Sequence, residues 1–402
     1  MNPRSSTAVV LLALTVSAPL LLAGCTSKAG SDGAIAVTSS NDACDLDGTD
    51  AQTGDVNFTV TNNGSKVTEF YVYGNNNRVL GEVENIGPGL SGNLTVEVTD
   101  PGTYTVACKP GMVGTGIREE ITVSGEKKDK EEVPADVNAA KERYLDYVRG
   151  QVAGLAAQAQ IYVDHIKAGQ LDEARAMFGQ VRTFYERVEP VAESFPDLDP
   201  AIDMRWDDTE GGEQPFTGFH RTERILWPPQ AQEVGEGPGQ IAPDDAADAT
   251  ANDDQAAADT AAGELLANIN SLKDEVDKPD FTFETRQFVQ GPQALIDEIA
   301  ATKVGGEEDR YSHTDLWDFA ANVDGAETLI AEMQPIISAK DQALMDRITA
   351  QFADVRTAID QYREGDGYVT YTQVSDAERK ELSNKIDALS ATLSQVPGLV
   401  LS

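Results

Sequence analysis

Basic side chains are in short supply. The 402-residue chain has 31 lysines and arginines against 68 aspartates and glutamates, a formal net charge of −37. A surface of that sign repels phosphate backbones, so nucleic acid is excluded as a partner and cations are favoured. Histidine is rarer still, with only His165, His220 and His313. None precedes residue 135, so the first third of the chain cannot assemble the two-histidine, one-cysteine set of a blue-copper site. Cysteine is limited to Cys25, Cys44 and Cys108. No His-Glu-x-x-His helix, Gly-x-Ser-x-Gly elbow or phosphate loop occurs, and the chain after Cys25 has no Cys-x-x-Cys, which leaves hydrolysis poorly supported. What is present, 40% apolar and 25% charged residues, is a globular composition with length for more than one domain.

The chain has one long apolar run, Ala8 to Ala23, preceded by Arg4 and interrupted by Thr15, Ser17 and Pro19. It is too short and too broken for a membrane span, and residues 1–24 have the layout of a secretory signal. The run ends Leu22-Ala23-Gly24-Cys25, which resembles the lipobox of bacterial lipoproteins. That implies cleavage before Cys25, lipidation of Cys25 and a tether over 25–33. The mature chain is expected on the extracytoplasmic face of the cell membrane, held by its lipid anchor. Loss of Arg4 makes the mature side-chain charge 30 − 68 = −38. In an oxidising compartment Cys44 and Cys108 read as a disulfide, or alternatively as a thiolate pair on a metal. Cys108-Lys109-Pro110-Gly111-Met112 adds a thioether on the same loop. Thiolate with thioether suits copper, and an added carboxylate shifts the preference toward iron.

Two apolar periods divide the chain. Seven short alternating runs (Ala34–Val37, Val56–Val60, Glu69–Tyr73, Val79–Val83, Leu94–Val98, Tyr104–Ala107 and Glu120–Val123) predict a β-sandwich over 34–124. Residues 125–134 form a charged linker. From 135 to 402 the period becomes helical, with Tyr144, Val148, Val152 and Leu155 on one face and Ile161, Val163 and Ile166 on another stretch. Further helices are expected at 171–194, 217–226, 260–277, 285–302, 314–338, 341–363 and 376–395. The last opens on Ser375-Asp376-Ala377-Glu378, a capping-box pattern. The fold class is thus a small all-β sandwich followed by a larger all-α bundle. Between Arg224 and Lys273 lie nine acids and no base, and the first half of that stretch reads as a flexible, solvated loop.

The helical half carries the other metal chemistry. His220-Arg221-Thr222-Glu223 puts imidazole and carboxylate three residues apart on one helix face, a pairing that bundles use for internal metal sites. Glu186 and Asp203 are further ligand candidates, with Glu189 as an alternative. Such an oxygen-rich set suits iron, manganese or zinc. In a zinc-protease helix the residue after the first histidine is the general base, and here it is Arg221.

Gly-x-His-x-x-Glu at 218–223, Tyr185-Glu186-Arg187-Val188-Glu189-Pro190, Ser194–Asp203 and the run Glu307–Phe319 together closely resemble the imelysin (M75 peptidase-like) family of iron-uptake components. The preceding segment, including Glu84-Asn85-Ile86-Gly87-Pro88-Gly89, resembles the cupredoxin-like domain found in that family's two-domain members. The resemblance implies a cell-envelope iron-binding protein working with a membrane iron permease and a haem peroxidase. It implies metal positions at Glu186, Asp203, His220 and Glu223 in the helical domain, and at Cys44, Glu69 and Cys108 in the sandwich. Met112 is added to the sandwich set from spacing. Iron is the expected cargo, with copper at the sandwich or zinc at the helical site as the variants. The alternative function is an M75-type metallopeptidase.

Overall fold

The computed structural model describes residues 34–74, 79–111, 115–127, 133–192, 194–195, 197–209, 215–235, 239–282 and 284–401. The expected signal segment 1–24, the expected tether 25–33 with Cys25, Met112 and residues 128–132 of the expected linker lie outside them. No helix among the described residues is long and apolar enough to cross a membrane.

Alternation in the first segment becomes two facing sheets. The strands are β1 (Ile35–Ser39), β2 (Cys44–Leu46), β3 (Asp50–Gln52), β4 (Gly54–Asn62), β5 (Thr68–Tyr73), β6 (Val79–Ile86), β7 (Ser91–Val98), β8 (Gly102–Pro110) and β9 (Ile117–Ser124). One sheet runs β2-β1-β4-β7, the other β3-β9-β8-β5-β6. All seven expected strands are present, while β2 and β3 are too short for alternation to reveal. Val56, Phe58 and Val60 of β4 point inward against Phe70 and Val72 of β5, with the Phe58 and Phe70 rings 5.1 Å apart. β5 is unusual because every residue in it is buried. Phe70 and Val72 fill the sandwich, whereas Tyr71 and Tyr73 form a separate apolar cluster with Val79 and Ala107. That outer face looks toward the helical half, where Asp197 acts electrostatically on Tyr73 and Asp208 on Glu69.

The helical half contains α1 (Ala135–Lys167), α2 (Leu171–Glu186), α3 (Glu189–Ala192), α4 (Asp199–Asp203), α5 (Gly218–Leu226), α6 (Pro243–Asn252) and α7 (Gln255–Val276). It continues with α8 (Thr285–Glu298), a π-helical segment Ile299–Lys303, α9 (Asp315–Lys340), α10 (Gln342–Asp360), α11 (Asp376–Leu393) and α12 (Val396–Val400). Residues 137, 140, 144, 148, 152, 155, 159 and 163 of α1 form one buried stripe. Ile161 does not join it and is 45% exposed, because a residue two positions from Val163 faces the opposite side of a helix. α9 is buried on most sides, and the capping box at Ser375 and Glu378 is formed.

One expectation holds only in part. Residues 227–235 and 239–242 carry no helix or extended strand, as a loop should, but residues 243–252 are helical and docked. The Arg224 guanidinium is fully buried and its NH groups bond Asp245 at 2.6 Å, Asp248 at 2.7 Å and Asp253 at 2.9 Å. It lies 4.9 Å from both the Trp206 and Phe216 ring centres. Three of the nine acids that suggested solvation, Asp245, Asp248 and Asp253, are instead ligands of one buried arginine on a neighbouring helix.

Candidate metal centre

Five short pieces of chain converge in the bundle interior. The end of α2 supplies Arg182 and Glu186, the end of α4 supplies Asp203, and α5 supplies His220 and Glu223. The loop before α9 supplies Glu308 and Asp309, and the first turn of α9 supplies Asp315 and Asp318. Gly218 makes the α4–α5 approach possible. Its φ is +79°, and a Cβ there would sit 2.2 Å from the Ile202 carbonyl oxygen, so any other residue would push α5 away from Asp203.

His220 is the hinge of the arrangement. Its Nδ1 lies 2.9 Å from Glu223 Oε2. The other Glu223 oxygen accepts bonds from the backbone N–H groups of Tyr311 (3.1 Å) and Ser312 (2.7 Å) and from the Ser312 hydroxyl (2.8 Å). The loop can aim these N–H groups because His313 adopts a left-handed conformation with φ 57°, turning the chain back toward α9. Glu223 is thereby fully engaged in holding the imidazole. His220 Nε2 then faces Asp203 at 3.5 Å and Glu308 at 3.8 Å, buried and with no hydrogen-bond partner. Asp309 Oδ1 and Asp315 Oδ2 are likewise buried without a hydrogen bond.

Among the described residues, three groups of ligand atoms have the mutual spacing a cation needs, each within 4.8 Å: Asp203–His220–Glu308, His220–Glu223–Asp309 and Glu186–Glu308–Asp318. Two fully buried cations offset part of the charge. Arg182 reaches Asp203, Glu186 (2.5 Å), Glu308 (3.1 Å), Asp318 (3.2 Å) and Asp309 (3.4 Å). Lys303 Nζ lies 2.9 Å from Glu186, 3.2 Å from Glu308 and 3.6 Å from Glu189. The carboxylates still outnumber them. Burial holds Glu189, Asp309 and Asp318 well above the usual carboxylate range and raises Asp203, and it pushes Asp315 up to about 7. Burial acts the same way on Glu308, but Lys303, His220 and Arg205 outweigh it and hold that carboxyl well below the usual range. Burial and Arg182 oppose a charged His220, yet Glu223, Glu308 and Asp203 outweigh them and raise it to about 9. An excess of buried hard oxygen donors with one imidazole is what a polyvalent cation neutralises best.

The structure thus gathers Glu186, Asp203, His220 and Glu223, with Glu189 at the edge. The sequence reasoning missed Glu308, Asp309 and Asp318 as ligand candidates, although all three fall in the quoted 307–319 run. Their signal was acids alternating with aromatics at the mouth of a helix.

The sandwich set does not assemble. Cys44 and Cys108 are joined in a disulfide with Cα atoms 5.5 Å apart, inside the core. In that state neither sulfur is a thiolate donor. Glu69 is paired across the strands with Lys109, and Cys108 with Phe70. Successive residues of a strand face opposite ways, so Glu69 and Cys108 lie on opposite faces of the sheet. Glu69 accepts a bond from the Tyr71 hydroxyl at 3.0 Å, and burial pushes its carboxyl up to about 8 against the pull of Lys109.

Comparison with known proteins agrees with both halves. The model of the imelysin family (peptidase M75) matches residues 140–396, and that of the cupredoxin-like domain matches residues 7–123. The chain is 32% identical over 371 residues to the iron uptake system component EfeO of Escherichia coli O157:H7, covering 91% of each protein. It is 34% identical over 369 residues to EfeO of Yersinia pseudotuberculosis serotype I, again with 91% of each covered. The solved structure of auracyanin from Roseiflexus castenholzii matches 24% of this chain and all of that one at 19% identity, with a TM-score of 0.20, too slight to bear on the fold. The cupredoxin-like sandwich, the carboxylate-and-imidazole nest in the bundle and near-complete coverage by EfeO relatives make this chain a member of the imelysin family in its two-domain, EfeO-like form.

Proposed function

We propose that the chain is a cell-envelope iron-binding lipoprotein of an iron uptake system, tethered through Cys25. It captures iron in the bundle nest and delivers it to a membrane iron permease, beside a haem peroxidase of the same system. The observation that carries this reading is the nest itself: buried carboxylates in excess of their internal cations around a histidine nitrogen that faces two of them without a hydrogen bond. The relatives' name, iron uptake system component, points the same way. Hard carboxylate donors favour Fe³⁺ over Fe²⁺, so oxidation at or near the site would tighten capture. Zinc is the competing cargo for a mixed carboxylate and imidazole set. Copper at the sandwich would need the Cys44–Cys108 disulfide opened, and Glu69 would still face away.

A role without catalysis is favoured over the metallopeptidase. Arg221 stands where a zinc protease keeps its general base, and its guanidinium is committed to Asp253. His220, Glu186, Glu223 and Asp318 are all 0–1% exposed, a burial suited to an ion and not to a polypeptide. Metal analysis of protein purified from native envelopes tests the function. About one iron per chain is expected, and protein that carries no metal there would contradict it.

A further inference from the structure

We propose that Lys303 is a built-in placeholder: its ammonium occupies the carboxylate pocket that a metal ion takes, and loading drives it out toward the cleft between sandwich and bundle. The inference rests on the metal-binding reading and concerns how that same site is kept ready.

Three carboxylates surround this one ammonium, Glu186, Glu308 and Glu189 at 2.9–3.6 Å, and Lys303 is 0% exposed. Glu186 and Glu308 belong, with Asp318, to one of the groups spaced for a cation. A metal drawing on those oxygens would stand within a few ångströms of Nζ in a low-dielectric interior, where like charges repel strongly. One cation has to leave.

Arg182 is the wrong one to go. It sits inside α2, divides its planar fork among five carboxylates and lies 5.5 Å from the Phe219 ring centre. Lys303 is differently mounted. It is the last residue of the π-helical segment Ile299–Lys303, closed by a Val304 N–H to Ile299 carbonyl bond of 3.0 Å. Gly305 and Gly306 follow, the latter at φ +78°. A π turn holds one residue more than an α turn needs, and such turns collect at functional sites. Relaxing it to α geometry rotates the side chain by about 100° around the axis.

A destination lies beside it. Glu298, immediately before the turn, lines a cleft of about 570 Å³ walled by Gly81, Glu82 and Leu94 of the sandwich and by Gln290 and Ala294 of α8. Glu298 is also near enough for its charge to act on Lys303. Loading is then an exchange of an ammonium for a metal ion, so Glu186 and Glu308 face a cation in both states.

The test uses the full mature chain and two redox-inert ions, Zn²⁺ and Ga³⁺. Lys303→Met keeps the length of the side chain and removes the charge. Displacement predicts that both ions bind the variant more tightly by a similar factor, about tenfold or more, because each exchange is relieved of the same unit charge. If Lys303 instead stays beside the metal, its repulsion scales with ionic charge and gallium gains far more than zinc. Amine-reactive labelling of the wild type, read by mass spectrometry, should show Lys303 protected without metal and labelled several-fold faster once loaded. Unchanged affinities, a gain that climbs with ionic charge, or labelling of Lys303 that ignores metal would each overturn the proposal. Should the variant not fold, the labelling decides alone. Wild type that binds neither ion removes the metal reading and this inference together. Wild type that binds with Lys303 unmoved removes only this inference.

Discussion

Glu223 has both oxygens committed, one to His220 Nδ1 and one to three donors of the loop before α9. Its contribution to the proposed metal site is therefore orientation of the imidazole, fixing which nitrogen faces Asp203 and Glu308. Glu223→Gln keeps an acceptor for the loop but presents an NH₂ to Nδ1, which forces the proton onto Nε2. Iron affinity should fall about 10–100-fold with little change in melting temperature, and an unchanged affinity would return Glu223 to a spectator. The His-x-x-Glu spacing made this pair legible in the sequence, but the spacing cannot tell ligand from orienter. That depends on Tyr311 and Ser312, far away in the chain. Arg182 and Lys303 gave no comparable signal, because a buried cation looks in sequence like any surface base.

Glu69 offers a pH test. Its folded carboxyl is raised by burial, with Lys109 opposing and Glu82 and Asp208 reinforcing, to about 8 from an ordinary 4.5. The folded state thus holds a proton that the unfolded state releases between those values, and stability contributed by Glu69 declines as pH rises from about 5 to 8. Glu69→Gln should remove that decline, seen as a melting temperature that changes less between pH 5 and pH 8 than the wild type's. An equal decline in both proteins would place the effect elsewhere.

Among the elements, α6 shows best why a sequence misleads. Its composition, acids and alanines without bases, is that of a solvated segment, and no local pattern reveals a docked face. The partner that orders it is Arg224 on α5, held between Trp206 and Phe216. The same Asp245 accepts a bond from the Tyr311 hydroxyl at 2.6 Å, so α6 also braces the loop whose backbone holds Glu223. Arg224→Met leaves Asp245 buried without its cation, and a loss of about 3–5 kcal/mol is expected in denaturant unfolding. Hydrogen exchange across 243–252 should accelerate first, and a variant as protected there as wild type would contradict the latch. The strongly periodic elements were readable, including the seven strands, α1 and the capped α11, because their apolar spacing is set by burial on one side. The short pieces α4, β2 and β3 were not, since they are positioned by tertiary contacts.

At the scale of the whole molecule, the two halves are stabilised differently. The small sandwich has a disulfide linking residues 64 apart in sequence, and closing a loop of that length is worth about 4 kcal/mol. Reduction should lower the sandwich transition selectively and leave the large bundle core nearly unchanged. A thiol assay without reductant should find no free thiol at Cys44 or Cys108. The bundle instead carries a charged interior, and its excess of carboxylates is the basis for proposing a cation site there. The net charge of −37 was visible from the start, but which acids face inward is fixed by the convergence of α2, α4, α5 and the start of α9.

The most direct test of the account is a ferric iron titration of the chain from residue 25 onward, wild type against His220→Ala and Glu186→Gln, with unfolding followed in parallel. The account predicts one tight site in the bundle, weakened at least about tenfold in each variant while the fold persists. Identical iron binding in all three proteins would contradict it.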